Sequence, residues 1–444
     1  MNDFRLTIYK IFLIFLGFSL LFFISGTIGS AYFLLSSCFL VIIIFKIIDF
    51  LNSQFILNLF NRFSVPFAFI ILIGLNLSDK INTLTGVNTD RNSIFVYLAM
   101  PFYLLSAFAL ISDYADNKIK NIKKSHTFLD LLLFVVFPFK LLSGPLEQPS
   151  FIQQFKNIKI RNTNHGLYIS FSWIMLGLFM KFVIGNRLSP SQMITFENPI
   201  LSLLCATIFE LKFYFDFAGY SFIAYGFAKI FNIQLTRNFN HPFTTTNVVK
   251  FWQNWHISLG KFLQKYILHK FVFFLKSRNA KAFFACFIFI VSALWHGITF
   301  NYFLWGLFHG LIYFSYVQYF KKTSIPKIIV YSSMFSFFVL GRFLAIEADS
   351  TRLITKIKNL FSPTSYTNFS KVELDFIENF ISFKYMGFTM GVFVAILFIA
   401  LEFTQLSNKK KNYLYFRKPI SLVVMFLIFI FFGLNSGELL YARI

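Results

Sequence analysis

Five of the seven histidines, His241, His256, His269, His296 and His309, fall between Phe213 and Gly310, together with Asp216, an acid set among aromatics. An imidazole titrates near neutrality, so it can take a proton from an attacking hydroxyl as a general base. His296 is the sharpest candidate. It closes the apolar run Ala282–Trp295, and Gly297 beside it gives an incoming ligand close access to backbone and ring. His256 and His309 could orient a ligand, polarise a carbonyl or hydrogen-bond a neighbouring helix. Glu210, Lys212 and Asp216 lie inside an apolar run, where a charge costs a few kcal/mol unless it faces a partner or water. They are site candidates on that ground, although Glu210 and Lys212 could equally pair with each other to orient helices.

A second pattern competes. His256 and His269, and likewise His296 and His309, are separated by thirteen residues, a spacing that could suggest two stacked haems. His269, however, sits between Lys265 and Lys270 on an interfacial segment, and thirteen helical steps place a pair on faces about 220° apart. The haem reading is therefore set aside. No metal site is expected: there is no HExxH helix, and Walker loop, GxSxG elbow and dinucleotide-binding glycine loop are also missing. His126 and His165 are expected in loops.

The elements that must position these residues are membrane helices. Of the 444 residues, 57% are hydrophobic and 13% charged, with mean hydropathy +0.66. The apolar runs have helix length rather than the alternation of barrel strands. The reading is an all-α polytopic membrane protein, crossing the bilayer many times. One membrane-embedded domain covers residues 1–444. The net charge of +23 would point to nucleic acid in a soluble protein. Here Lys and Arg cluster between apolar runs, which is the positive-inside pattern, so the partner is the lipid bilayer and no nucleic acid is expected. Cys38, Cys205 and Cys286 each lie in an apolar run, where a thiol packs as a small hydrophobe.

In chain order, spans are expected at residues 6–25, 31–51, 63–78 and 94–112, the first lacking the small-residue cleavage site of a signal peptide. The basic stretch 116–124 marks the cytoplasm. Residues 128–142 are interrupted by Pro138 and followed by Gly144-Pro145, giving either a broken, re-entrant helix that walls a cavity or a helix that ends at its proline. A span follows at 167–184, and the run 200–233 is long enough for two shorter helices. From Lys250 to Lys270, Lys250, Gln253, Asn254, Lys261, Gln264 and Lys265 share one direction, with Trp252, Trp255, Leu259, Phe262, Leu263 and Tyr266 opposite. That is an amphipathic helix lying in the interface. Further spans are expected at 282–295, 302–320, 328–346, 385–403 and 420–434, with a short amphipathic helix at 349–361. The total is about 11–13 spans.

Several motifs then fall in a recognisable order: FPFKLLSGPL (137–146), YFDFAGYS (214–221), RNFNHPF (237–243), FWQNWHISL (251–259), ALWHG (293–297) and WGLFHG (305–310). Over about residues 130–310 the sequence resembles the membrane-bound O-acyltransferase family, in its bacterial alginate O-acetylation and D-alanyl transfer branch. The resemblance implies a ring-like bundle, with interfacial and re-entrant helices, around a central tunnel. It also implies His296 at the catalytic histidine position on the tunnel floor, and His256 as a second histidine near the cytoplasmic donor entrance. Asn254, Trp255, Asp216, Trp295, His309 and Asn240 would bind substrate or line the tunnel, with Asp216 bracing helices.

The implied activity is O-acyl transfer, with acetyl as the expected group. A cytosolic thioester, acetyl-CoA or an acyl carrier protein, would be the donor and no bound cofactor would be needed. The acceptor would be a hydroxyl of an extracytoplasmic polysaccharide or a partner O-acetyltransferase. D-alanyl transfer to a teichoic-acid-like polymer is the alternative, and a non-enzymatic glycan or lipid transporter is the rival class. The segment 270–279 is closer to the D-alanyl type and 341–361 to the alginate type.

Overall fold

The computed structural model describes residues 2–25, 53–84, 94–120, 127–141, 144–320 apart from positions 162, 189–190, 273 and 276, 326–382 apart from 348, 385–407 and 418–430. The expected span at 31–51, Cys38, His126 and the end of the last span lie outside the described residues. The fold is all-α and polytopic. Helices α1 (Asn2–Ser25), α2 (Gln54–Leu84) and α3 (Ile94–Ile119) open the chain, followed by α4 (Phe128–Val135) and α5 (Pro138–Leu141). The break before Pro138 is where the sequence places it, because proline disfavours the helical conformation of its predecessor. Helix α4 starts with a capping box in which Thr127 and Asp130 satisfy each other's backbone donors.

Helix α6 (Asn164–Leu178) continues through a wider π turn, Phe179–Ile184, and packs lengthwise on α7 (Pro199–Ile230). The two backbones touch at glycines. A Cβ on Gly177 would stand 2.6 Å from the Gly219 carbonyl oxygen, and small residues at such a crossing are how helices approach closely in lipid. Two helices were expected over 200–233; α7 is one helix of 32 residues, about 48 Å long. Its glycines serve packing rather than a break, and each interior charge has its own partner. Lys181 pairs with Asp216, Arg342 with Glu210, and Lys212 donates to the Gly185 carbonyl at 3.0 Å. A Glu210–Lys212 pair is thus not what holds this region.

The expected amphipathic helix over 250–270 is interrupted. Helix α8 (Val248–Asn254) stops and α9 (Ile257–Leu263) restarts after Trp255–His256, continuing through a π turn, Gln264–Leu268, into α10 (His269–Val272). Its two-faced character stands: Phe262 and Tyr266 are buried, Lys261 and Gln264 exposed. Then come α11 (Arg278–His296), α12 (Phe300–Ser315) and α13 (Lys327–Ile346), each packed on the next. Helices α14 (Ser350–Leu360) and α15 (Lys371–Ile381) are short and amphipathic. Helix α15 has no counterpart in the sequence reading; Glu373 in its first turn accepts the N–H groups of Glu197 and Asn198, both at 2.9 Å, at the start of α7. Helices α16 (Met386–Ser407) and α17 (Pro419–Ile428) complete the described chain. Among the described residues, 54–73, 164–187, 327–346 and 386–404 are long and apolar enough to cross a membrane. His165, expected in a loop, is exposed in the first turn of α6.

Candidate active site

His256 occupies the break between α8 and α9 with φ 42° and ψ 53°, a left-handed backbone that costs a non-glycine residue about 1–2 kcal/mol. Hydrogen bonds on both sides hold it there. Upstream, Trp255 N–H donates to the Phe251 carbonyl at 2.9 Å and Asn240 N–H to the Asn254 carbonyl at 3.1 Å. Downstream, Ile257 N–H donates to the Asn238 carbonyl at 2.9 Å, and Ser258 N–H to Asn238 Oδ1 at 3.3 Å. Asn240 Nδ2 adds a bond to Asn254 Oδ1 at 3.0 Å, and Leu146 N–H donates to Ser258 Oγ at 2.9 Å. Three motifs far apart in sequence therefore meet around one turn. The His256 ring is buried edge-on to Phe217, centroids 4.7 Å apart. Among the described residues neither of its nitrogens meets a hydrogen-bond partner from another residue.

A cavity of about 460 Å³ opens against this imidazole, walled by Trp252, Trp255, Leu259, Ser292 and Trp305. Ile288 and Ser292 of α11 line it, and His296 is the next residue along that helix face at the i+4 spacing. His256 and His296 lie within electrostatic reach of each other. Past His296, Gly297 lets the Tyr302 ring close in: a Cβ there would stand 2.9 Å from Tyr302 Cε2. A second cavity of about 530 Å³, lined by Glu147, Gln154, Gln234, Thr236, Arg237 and Asn240, also borders α9, whose Ile257 and Lys261 line both.

A fixed cation completes the group. Arg342 Nε donates to Glu210 Oε2 at 2.7 Å, and its guanidinium lies 4.5 Å over the Phe213 ring. Phe213 in turn stacks on Trp255, centroids 5.9 Å apart. Arg342 lies within electrostatic range of both His296 and His309.

Comparison with known families places this arrangement. The model of MBOAT, the membrane-bound O-acyltransferase family, matches residues 49–328, which include every motif around the two histidines. The chain belongs to this family. It is 28% identical over 355 residues to a peptidoglycan O-acetyltransferase of Helicobacter pylori, covering 69% of this chain and 66% of that protein. It is 28% identical over 245 residues to a teichoic acid D-alanyltransferase of Bacillus subtilis, covering 52% and 61%. It is 26% identical over 234 residues to a probable alginate O-acetylase AlgI of Pseudomonas aeruginosa, covering 49% and 42%. The match spans under two thirds of each relative's length.

Within this membrane-bound O-acyltransferase fold, the candidate residues separate. Trp255 and His256 wall the cavity and His296 follows on the α11 face that lines it. His309 is buried beside them in an aromatic cage, with Trp305 at 4.4 Å, Phe337 at 4.8 Å and Trp252 at 5.2 Å between centroids. Asn240 and Asn254 bond each other; Asn240 lines the second cavity and Asn254 neither of the two. Asp216 is buried against Lys181 between α6 and α7 and lines neither cavity. The Trp295 side chain lies outside the described residues. Sequence reasoning missed Arg342 and Asn238 as parts of the site. Arg342 carried a usable signal, a lone charge inside the apolar run of α13; Asn238 carried none beyond its motif.

Proposed function

We propose that this protein is an O-acyltransferase of the bacterial cytoplasmic membrane. It moves an acyl group, acetyl foremost, from a cytosolic thioester to a hydroxyl of an extracytoplasmic polysaccharide, or to a partner transferase that completes the transfer. Acetyl-CoA or an acyl carrier protein would supply the thioester. The observation that carries this reading is His256 in the wall of an aromatic-lined cavity, with His296 one turn further along the α11 face that lines it, within a membrane-embedded acyltransferase fold.

In the step proposed, His296 takes the proton of the acceptor hydroxyl as its oxygen bonds the thioester carbonyl carbon. The carbon–sulfur bond then breaks and the imidazolium returns the proton to the leaving thiolate. Arg342, held by Glu210, supplies positive charge where the carbonyl oxygen becomes negative, and stabilisation of that kind is commonly the largest contribution to acyl transfer. His256 and Asn254 position the donor. Asp216, sealed against Lys181, braces α6 on α7.

Acetyl is preferred because two of the three relatives described above are named as O-acetyl transfer proteins, one of them matched over 355 residues. Purified protein given acetyl-CoA labelled in the acetyl group and glycan oligosaccharides is expected to release thiol and label the glycan. A folded His296→Ala variant should be slower by about 10²–10⁴-fold. A D-alanyl-loaded carrier protein is the parallel arm, and turnover there alone reassigns the acyl group. Equal turnover by His296→Ala would sink the histidine mechanism.

A further inference from the structure

Glu402 is the one charged residue of helix α16, and it is completely buried. Its Oε1 accepts the Tyr214 hydroxyl of α7 at 2.6 Å and lies 3.2 Å from His241 Nδ1. An acid from a helix beyond the family-matched residues 49–328 thus grips the loop that cradles His256. His241 is itself left-handed, with φ 50°. Its carbonyl accepts Thr244 Oγ1 at 2.7 Å, and its ring faces the Glu402 carboxylate on the other side. Directly upstream stand the loop's bonds to the His256 turn: Asn240 to Asn254, then Asn238 to Ile257 and Ser258.

Of the two histidines in this sparsely populated backbone state, His256 lies inside one hydrogen-bonded pairing and His241 stands at its end. Such states persist only where their surroundings over-determine them. Tyr214 and Glu402 are 188 residues apart in sequence, and His241 joins them from a third segment. An acid at membrane depth is not placed for packing, which an apolar side chain would do better.

We propose that Glu402 is a positioning residue for His256. It acts through His241 and the loop 238–241, and it does not touch substrate. The functional part of this inference rests on the reading of His256 as a site residue; the structural part does not. Without the carboxylate at position 402, Tyr214 loses its acceptor and the His241 ring loses the charged neighbour 3.2 Å from its Nδ1, the His241 backbone relaxes toward negative φ, and the bonds that hold the His256 turn shift with it.

The test uses the full chain in lipid nanodiscs. Hydrogen–deuterium exchange is read at the amides of Asn240, Trp255, Ile257 and Ser258, with α6 as control. The acyl-transfer kcat and donor KM are measured in parallel. Glu402→Leu, which fills the space without an acceptor, should speed exchange at those amides at least about tenfold and leave α6 unchanged. It should lower kcat by about tenfold or more with KM little altered, since small displacements of a catalytic group cost rate steeply. Glu402→Gln keeps an acceptor oxygen and should restore both.

Unchanged exchange in Glu402→Leu overturns the proposal, as does failure of Glu402→Gln to restore it. If wild type shows no acyl transfer, exchange alone still decides the positioning claim, separately from the proposed function. Should Glu402→Leu not fold, His241→Asn is read the same way. It tolerates the left-handed backbone and is too short to reach Glu402.

Discussion

Asn238 binds the turn after His256 twice, through its carbonyl to Ile257 N–H at 2.9 Å and through Oδ1 to Ser258 N–H at 3.3 Å. Its amide also donates to Ser221 Oγ of α7 at 2.9 Å. Asn238→Ala strands a buried amide and a buried hydroxyl. The expected cost is about 1–3 kcal/mol, together with a loss of acyl transfer. Asn238→Asp, which keeps the acceptor, should cost less. Thermal unfolding in detergent alongside the transfer assay compares the two; equal values for both would remove Asn238 from this role.

His256 lies in the region that glycine enters freely. His256→Gly should therefore fold better than His256→Ala, by about 1 kcal/mol, while both lose transfer equally. Chemical denaturation of the two variants measures the difference. If alanine proves the more stable, the left-handed backbone is not what His256 is holding.

Arg342 and Glu210 are side by side with little exposure, 12% and 10% for their side chains. Removing Arg342 alone leaves a buried carboxylate without its partner, a loss of about 3–5 kcal/mol. The double variant Arg342→Met with Glu210→Gln should regain most of that stability but not turnover, because the positive charge beside His296 is gone. Recovery of full activity in the double variant argues for a bracing role only.

Gly341 lets α13 press on His309: a Cβ there would stand 2.6 Å from His309 Nε2. The ring cannot swing aside because Trp252, Trp305 and Phe337 enclose it. Gly341→Ala is expected to destabilise by about 1–3 kcal/mol, and His309→Ala in the same chain should suppress much of this. A double-mutant cycle on melting temperature gives the coupling; strictly additive effects would show that the two residues do not meet.

Asp349 caps α14 outside the membrane-spanning segments, accepting the N–H groups of Thr351 at 2.8 Å and Arg352 at 3.3 Å. The Arg352 backbone bond first, then that of Thr351, lowers its pKa below the ordinary 3.8. A depressed folded-state value means the cap contributes fully above about 3.8, the unfolded value, and is lost as pH falls through the lower folded one. Pepsin should thus begin to cut within 350–360 only at the acid end of a pH series. Asp349→Asn, which caps without titrating, should flatten that onset.

The helical, membrane-embedded character was readable because burying backbone in lipid leaves few alternatives, and long apolar runs announce it. The break before Pro138 and the two faces of 250–270 were readable for equally local reasons, proline sterics and helical periodicity. The unbroken α7 was not, because nothing within residues 200–233 reveals that Gly177 meets Gly219, or that Lys181, Gly185 and Arg342 satisfy its charges. Nor was the interruption at His256. Its backbone is held by Asn238, Asn240 and Leu146, and Ser258 receives the last of these from 112 residues away.

By itself, then, the amino-acid sequence determined that this chain is a multi-pass helical membrane protein, and its ordered motifs marked the segments from which a site would be built. Only the tertiary structure decided which of those residues meet. It set His256 in a cavity wall with His296 one turn beyond the α11 residues that line it, enclosed His309 in aromatics, withdrew Asp216 to Lys181 and brought in Arg342. The physical reason is one of range. Hydrophobic length and helix period act within a few turns, whereas a buried charge or a strained turn is satisfied by whichever distant segment folding delivers to it.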